Sequence, residues 1–278
     1  ANVKGLTGGH SGDDINKKRA NAIKPMARFL YMEMKKMPLA LAQIDCGKAH
    51  NAIPREGSMT FAVPAARKEE VKAAWNIFVS DVAEEYHATE GRQDMTLGSA
   101  ERQPVIEADA ARRIILTLQA IDNGVFNMCQ DEELAWLVET SSNLASIHTS
   151  DDKATVVTSQ RSNVMSQRQN MAATVAACFE LAGAQVEQGD GYPAWQPRKD
   201  SHLVDITAQT YRELFGREPK VLGIHAGLEC GLFSERYPNL DMVSFGPTLR
   251  GVHTPEERLH IPTVQIVWDH LLEILKRI

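Results

Sequence analysis

Short apolar segments with the spacing of strands alternate with longer segments of helical periodicity in the first hundred residues. Residues 13–36 and 68–87 repeat apolar side chains every three or four positions and predict helices. Pro25 lies inside the first of these, so we expect a kink there. The apolar runs that predict strands are 3–7, 39–44, 59–63 and 95–99. The resulting order, β-α-β-β-α-β, is that of a ferredoxin-like unit.

The same order returns in weaker form between residues 107 and 187. We predict helices over 107–121 and 164–182, and the predicted strands are 136–147, 154–159 and 184–187. The hairpin of this second part aligns loosely with that of the first. A duplicated ferredoxin-like unit is the prediction, and chance similarity between alternating strands is the alternative.

Turn residues cluster at 189–193, and the pattern changes beyond them. Helices are predicted over 202–215, 228–236 and 262–276, with buried-type strands over 221–224 and 242–245. Such an alternation is typical of a three-layer α/β domain. We therefore predict an α/β chain with two domains, 1–188 and 189–278. Two strands alone do not make such a sheet, so the second domain needs further strands or an associated chain.

Composition excludes several functional classes. The net charge of −6 argues against nucleic-acid binding, which uses clustered Lys and Arg. No apolar run reaches the roughly 18 residues that span a bilayer, so no membrane association is expected. The four cysteines are far apart and form no CxxC pair. They predict reduced thiols in a cytoplasmic protein.

Three segments combine glycine with polar side chains next to predicted strands. They contain His10, then Glu229, and then His253. Ligands of α/β folds bind beyond the carboxyl ends of strands, where Glu229 and His253 are predicted to lie. A hydrolytic zinc site needs about three protein ligands, and spacing alone supplies one good candidate, His253. A solvated histidine is the alternative, and the glycine turn around His10 lacks the lysine of a nucleotide-binding loop.

Five segments, taken together, resemble the M20 metallopeptidase family. They are GLTGGHSGDDIN (5–16), GKAHNAIPREG (47–57), SSNLASI (141–147), GIHAGLECG (223–231) and GPTLRGVHTPEERL (246–259). They follow one another in the family's order and extend along the whole chain. The resemblance implies that 1–188 is a lid or dimerisation domain, doubled as in the larger dipeptidases of the family. It also implies that 189–278 is the C-terminal part of the zinc-peptidase domain.

The resemblance also implies roles for single residues. His253 matches a ligand of a pair of zinc ions, and His10 matches a lid histidine that stabilises the oxyanion of the transition state. Asn51 and Glu229 match residues that contact substrate. Arg161 is the expected partner of the substrate carboxylate, with Arg168 as the nearby alternative.

The implied reaction is hydrolysis of Xaa-His dipeptides of the carnosine type. The zinc ions would activate water, the arginine would bind the carboxylate by two hydrogen bonds, and the lid would pair in a homodimer. Of the family's zinc ligands only His253 has a counterpart, so we expect this chain to be an incomplete and inactive part of such an enzyme. The alternatives are a dimerisation or binding module without catalysis and an M20 enzyme acting on other amides.

Overall fold

The computed structural model describes residues 1–91, 93–150, 152–193, 195, 198, 200–223, 229–250 and 257–278. These residues divide into two compact units. Unit 1 is Ala1–Asp190, and unit 2 holds Gly191–Gly223 and the described residues from Glu229 onward. The functional roles expected for domains 1–188 and 189–278 remain predictions.

Unit 1 contains one large antiparallel sheet and four α-helices. Its helices are α1 (Ile23–Met34), α2 (Lys68–Glu85), α3 (Ala108–Ala120) and α4 (Met165–Leu181). Its strands are β1 (Asn2–Lys4), β2 (Gly9–His10), β3 (Ala40–Cys46), β4 (Ala52–Ile53), β5 (Gly57–Ala62), β6 (Asp94–Thr96), β7 (Gly124–Met128), β8 (Val138–Thr149) and β9 (Ala154–Ser162). Short 3-10 turns cover Ile15–Lys17, Ala65–Arg67 and Glu132–Leu134.

The first half of unit 1 has the predicted ferredoxin-like topology. The sheet order begins β6-β1-β5-β3, and each of these neighbours pairs antiparallel. Helices α1 and α2 bring large apolar side chains together, and the Phe29 ring lies edge-on to Trp75 with centroids 4.8 Å apart. Phe78 packs at 5.4 Å from the same ring. Burial of these rings supplies much of the apolar area of the core. The mixed α/β class predicted from sequence is confirmed.

The second half of unit 1 is joined to the same sheet through β8. That strand pairs with β9 along one edge, and with β7 and the end of β3 along the other. The order here is α-β-β-β-α, with β7 unpredicted. The strand predicted over 184–187 is wrong, because α4 ends at Leu181 and residues 184–187 pair with no strand in the described part of the chain.

The single helix predicted over 13–36 is also wrong. Lys18 has a left-handed backbone, with φ of 55°, which interrupts helical geometry. The α-helix starts at Ile23, whose amide hydrogen is accepted by the Asn21 side chain at 3.0 Å. Pro25 therefore lies in the first turn, where no amide hydrogen is needed from it, rather than at a kink.

Unit 2 contains helices α5 (His202–Phe215), α6 (Glu229–Arg236) and α7 (Pro262–Leu275), with a short hairpin of β10 (Leu249–Arg250) and β11 (Arg258–Leu259). Helices α5 and α7 pack together, and the buried His270 ring donates a hydrogen bond from Nε2 to the Thr207 carbonyl oxygen at 2.8 Å. The observed bounds of these helices agree closely with the predicted ones.

The two strands predicted in this unit are not formed in its described residues. Residues 221–223 and 242–245 pair with no described strand, and the Val221 and Leu222 side chains are about 60% exposed. A strand needs a neighbouring ladder to satisfy its backbone groups, and the described part of unit 2 offers these segments none. Ile224, the end of the first predicted strand, lies outside the described residues.

The four cysteines, all within the described residues, are free thiols. Burial raises the pKa of the Cys46 thiol to about 12, with the charges of Asp45 and Glu56 adding to the effect. Such a thiol stays protonated at neutral pH. Among the described helices, none has both the length and the apolar character that crossing a membrane requires.

Candidate functional site

The loop between β2 and the first 3-10 turn holds His10 in a defined backbone position. The His10 amide donates to Asp14 Oδ2 at 2.8 Å, and the His10 carbonyl accepts from the Asp14 amide at 2.9 Å. Gly9 has φ of 140°, and a Cβ atom there would collide with Asp14 and Arg19. The glycine-rich sequence of this loop therefore has a steric reason.

The Asp14 carboxylate in the same loop pairs with two basic side chains. Lys17 Nζ lies 2.5 Å and Arg19 Nη1 3.3 Å from its Oδ1 atom. Burial alone would raise the pKa of Asp14, but the hydrogen bonds from Lys17 and the His10 amide, with the Arg19 charge, lower it overall. The ionised carboxylate therefore stabilises the loop at neutral pH.

The His10 ring is placed as a potential hydrogen-bond donor. Its Nδ1 atom accepts from the Gly12 amide at 3.3 Å, which favours the tautomer protonated at Nε2. The Asp13 carboxylate is 3.6 Å from Nδ1, too far for a hydrogen bond, and its side chain is 63% exposed. A protonated Nε2 is the donor that the expected oxyanion role requires.

Strand pairing brings Asn51 to this loop. His10 of β2 pairs with Ala52 of β4, and the Asn51 carbonyl accepts from the Ser11 amide at 2.8 Å. The Asn143 side chain on β8 donates to the Ala52 carbonyl at 2.8 Å. Residues separated by more than 90 positions in sequence are thus joined by a hydrogen bond next to this loop.

Arg161 on β9 reaches the same place. Its Nε atom donates to the Ser11 hydroxyl at 3.3 Å. Burial lowers the pKa of Arg161, and the negative charge of Asp13 partly opposes this. Arg168, the alternative considered from sequence, instead donates from Nη2 to the Asp190 carbonyl at 3.3 Å. The structure therefore gathers three predicted site residues, His10, Asn51 and Arg161, around Ser11.

The Arg161 guanidinium lies beside the loop, and no described carboxylate pairs with it. In the described part of the chain no Asp or Glu lies within ion-pair distance of its side chain. A half-buried positive charge of this kind is costly unless an anion compensates it. Its planar N–H groups match a carboxylate or phosphate. The arrangement can therefore bind an anion next to a histidine donor.

The other two predicted site residues, Glu229 and His253, belong to the C-terminal part of the sequence. Glu229 is the exposed first residue of α6 in unit 2, where its charge suits the helix N-terminus. His253 lies outside the described residues. Within the described residues, no group of three or more His, Cys, Asp or Glu side chains is placed to hold a metal ion. Those residues by themselves do not fit a metal, so the zinc assignment remains a prediction.

Sequence reasoning missed Ser11, Asn143 and Glu90. Ser11 and Asn143 are each 1% exposed, and both lie inside the motifs given above, yet their partners are 150 and 91 residues away in sequence. Glu90 is 3% exposed and accepts hydrogen bonds from the amides of Thr7 and Ala20. A glutamate in a polar turn gives no sequence signal for such burial.

The ferredoxin-like topology of the first half of unit 1 defines its domain class, and comparison with known proteins agrees with that class. Residues 2–90 match the M20_dimer family, described as a peptidase dimerisation domain. The chain is 36% identical over 277 residues to the cytosol non-specific dipeptidase of Escherichia coli (strain K12). That match covers 99% of this chain and 57% of the relative.

The fold agrees with a solved relative as well. The crystal structure of aminoacylhistidine dipeptidase from Vibrio alginolyticus matches with a TM-score of 0.87 and 39% identity. It covers 100% of this chain and 56% of the other. The chain is similar to M20 peptidases, as the resemblance predicted, and it spans a little over half the length of these relatives.

Proposed function

We propose that this chain is the substrate-carboxylate-binding and dimerisation part of a metal-dependent M20 dipeptidase. The observation that carries the proposal is the Arg161 guanidinium, which has no carboxylate partner among the described residues and lies against the loop of His10. A dipeptide has a free C-terminal carboxylate, and two parallel N–H···O bonds from arginine recognise it. The names of both relatives, which are dipeptidases, support this choice of ligand.

His10 supplies the second part of the proposal. Because a dipeptide is short, a hydrogen-bond donor next to its bound carboxylate would also lie close to its peptide bond. An Nε2–H group directed at the carbonyl oxygen stabilises negative charge as it develops, an effect typically worth a few kcal/mol. Asn51, held through its carbonyl to Ser11, is proposed to contact the same substrate.

The finer assignments come from the sequence resemblance. We propose an Xaa-His dipeptide as substrate, a pair of zinc ions with His253 as one ligand, and Glu229 at the amino end of the substrate. The zinc ions would supply an activated water molecule. A cytoplasmic location is proposed as well, since the Escherichia coli relative is named as cytosolic. With His253 as the one zinc ligand that the resemblance assigns, the 278-residue chain is proposed not to hydrolyse dipeptides by itself.

Calorimetric titration with an Xaa-His dipeptide and with its C-terminal amide tests the carboxylate role. We expect the free acid to bind at least about tenfold more tightly than the amide, and Arg161→Gln to abolish that difference. Arg168→Gln is the matched control, because that guanidinium contacts the Asp190 carbonyl instead. Equal binding of acid and amide by the unaltered chain would contradict the proposal.

The second candidate function is a dimerisation module without substrate binding. The match of residues 2–90 to a peptidase dimerisation domain favours it. Under this alternative the chain associates with itself but binds neither the acid nor the amide. The same titration, with the oligomeric state measured on the same sample, separates the two functions.

A further inference from the structure

Ser11 occupies the point where three parts of the candidate site meet. Its side chain is buried, with 1% of the residue exposed. Its amide donates to the Asn51 carbonyl at 2.8 Å, and its hydroxyl accepts from Arg161 Nε at 3.3 Å. It directly follows His10 in the chain. One small residue therefore connects the loop of β2, the loop before β4 and the strand β9.

We propose that Ser11 is a positioning residue that fixes the orientation of the Arg161 guanidinium for end-on binding of a carboxylate. This inference rests on the proposed function of Arg161. A guanidinium can hold a carboxylate through the edge formed by Nε and one Nη atom, or through the edge formed by both Nη atoms. The Ser11 hydroxyl engages Nε, so the edge formed by both Nη atoms is the one presented to substrate.

The hydrogen bond between Ser11 and Arg161 also couples carboxylate binding to the position of His10. The His10 backbone is held on both sides by Asp14, and the next residue, Ser11, holds Arg161. Movement of the guanidinium toward an incoming carboxylate therefore moves the loop that carries the proposed oxyanion donor. Loss of the Ser11 hydroxyl would separate the two groups while leaving the backbone contact to Asn51 intact.

The other charged and polar groups described around Arg161 do not take the place of the Ser11 hydroxyl as the acceptor for Nε. Asp13 is the charged group that acts on it, and its carboxylate is 63% exposed and more than ion-pair distance away. Ser141 lies opposite Arg161 in the β8–β9 ladder, and Asn143 donates its side-chain amide to the Ala52 carbonyl. Among the described residues, Ser11 is the group within hydrogen-bonding distance of Nε.

Hydrogen exchange at the Arg161 side chain tests the contact in the free chain. We expect Ser11→Ala to accelerate exchange of the Nε proton, measured by NMR, by about tenfold, because the proton loses its acceptor. Ser142→Ala is the matched control, since Ser142 is also 1% exposed and its hydroxyl accepts from Gln160 rather than from Arg161. Unchanged exchange in Ser11→Ala would overturn the proposal.

Binding measurements test the positioning role itself. We expect Ser11→Ala to weaken binding of an Xaa-His dipeptide by about tenfold and to leave binding of its C-terminal amide unchanged. In the Arg161→Gln background the Ser11 substitution should have no further effect, which a purely structural role would not predict. If Ser11→Ala fails to fold, Ser11→Cys removes most of the acceptor strength at nearly the same volume and should act in the same direction.

The outcomes separate the two proposals. If the unaltered chain does not distinguish acid from amide, the proposed function fails and this inference fails with it. If the unaltered chain prefers the acid and Ser11→Ala keeps the full preference, the positioning role alone is overturned. A preference lost in both Ser11→Ala and Arg161→Gln, and kept in Ser142→Ala, supports both.

Discussion

Glu90 joins the two ends of the loop that carries His10 and Ser11. Its Oε2 atom accepts from the Thr7 amide at 2.6 Å and its Oε1 atom from the Ala20 amide at 2.8 Å. The neighbouring Thr89 hydroxyl donates to the Lys18 carbonyl at 3.0 Å. The turn after α2 therefore anchors a segment some 70 residues earlier in the sequence.

We predict that Glu90→Gln destabilises the chain by roughly 1–3 kcal/mol, because an amide NH₂ then faces one of the two backbone donors. Urea denaturation of the full chain measures the change in the free energy of unfolding. Glu84→Gln, at an exposed position in the last turn of α2, is the control and should stay within about 0.5 kcal/mol of the unaltered chain. Equal stability of the two variants would argue against an anchoring role for Glu90.

Asp14 gives the loop a pH dependence of definite sign. Its pKa in the folded chain is below the ordinary value of 3.8, so the ionised form stabilises the fold. This contribution is complete above roughly pH 5 and is lost as the pH falls through the folded pKa. We predict that Asp14→Asn reduces the loss of stability on acidification, measured as the free energy of unfolding between pH 6 and pH 2.5. An unchanged acid profile would contradict this prediction.

At the residue scale, motifs identified the polar residues but not the contacts that hold them. His10 and Asn51 were predicted from the resemblance of their segments, and Arg161 was chosen as the arginine after the predicted strand 154–159. The structure brings these three together around Ser11. The donor to the Ser11 hydroxyl is Arg161, which follows it by 150 positions. Local sequence carries no information about such a long-range contact, whereas glycine-rich turns and charged residues can be read directly from the sequence.

At the element scale, Lys24 of α1 serves as a cap for α3. Its ammonium group donates to the carbonyls of Leu118, Gln119 and Ile121, each at 2.9 Å. These carbonyls lie at the C-terminal end of α3, where no intrahelical donors remain and the helix dipole favours a positive charge. Burial lowers the pKa of Lys24, and the nearby acidic group of Asp122 opposes this.

We predict that Lys24→Met destabilises the chain by roughly 1.5–3 kcal/mol, because three buried acceptors lose a charged donor. Hydrogen exchange should show faster opening at the C-terminal turn of α3 than elsewhere in the helix. Lys72→Met removes an exposed ion pair with Glu69 and should change stability by less than about 1 kcal/mol. A Lys24 variant as stable as the Lys72 variant would refute the capping role.

Helices were predicted more reliably than strands, for a physical reason. The pattern of α2, α3, α5 and α7 is complete within each segment, since each helix satisfies its own backbone. Strands 221–224 and 242–245 were predicted from apolar runs alone, and the described residues of unit 2 provide no ladder for them. The side chains of Val221 and Leu222 are exposed, as expected for a segment that pairs with no strand among the described residues.

At the scale of the whole molecule, the matched dimerisation domain leads to a prediction about association. We expect the chain to form a homodimer through unit 1, because residues 2–90 match a peptidase dimerisation domain and soluble oligomers most often are two-fold dimers. Sedimentation equilibrium should give twice the chain mass of 30.8 kDa at micromolar concentration. A mass of one chain across that range would contradict the prediction.

The central claim is that Arg161 is the carboxylate-binding group of a dipeptide site. A crystal structure of the full chain soaked with an Xaa-His dipeptide tests this claim most directly. We expect both carboxylate oxygens within about 3 Å of the two Nη atoms of Arg161, with Nε still donating to the Ser11 hydroxyl. A dipeptide bound elsewhere, with the Arg161 guanidinium facing solvent alone, would contradict it.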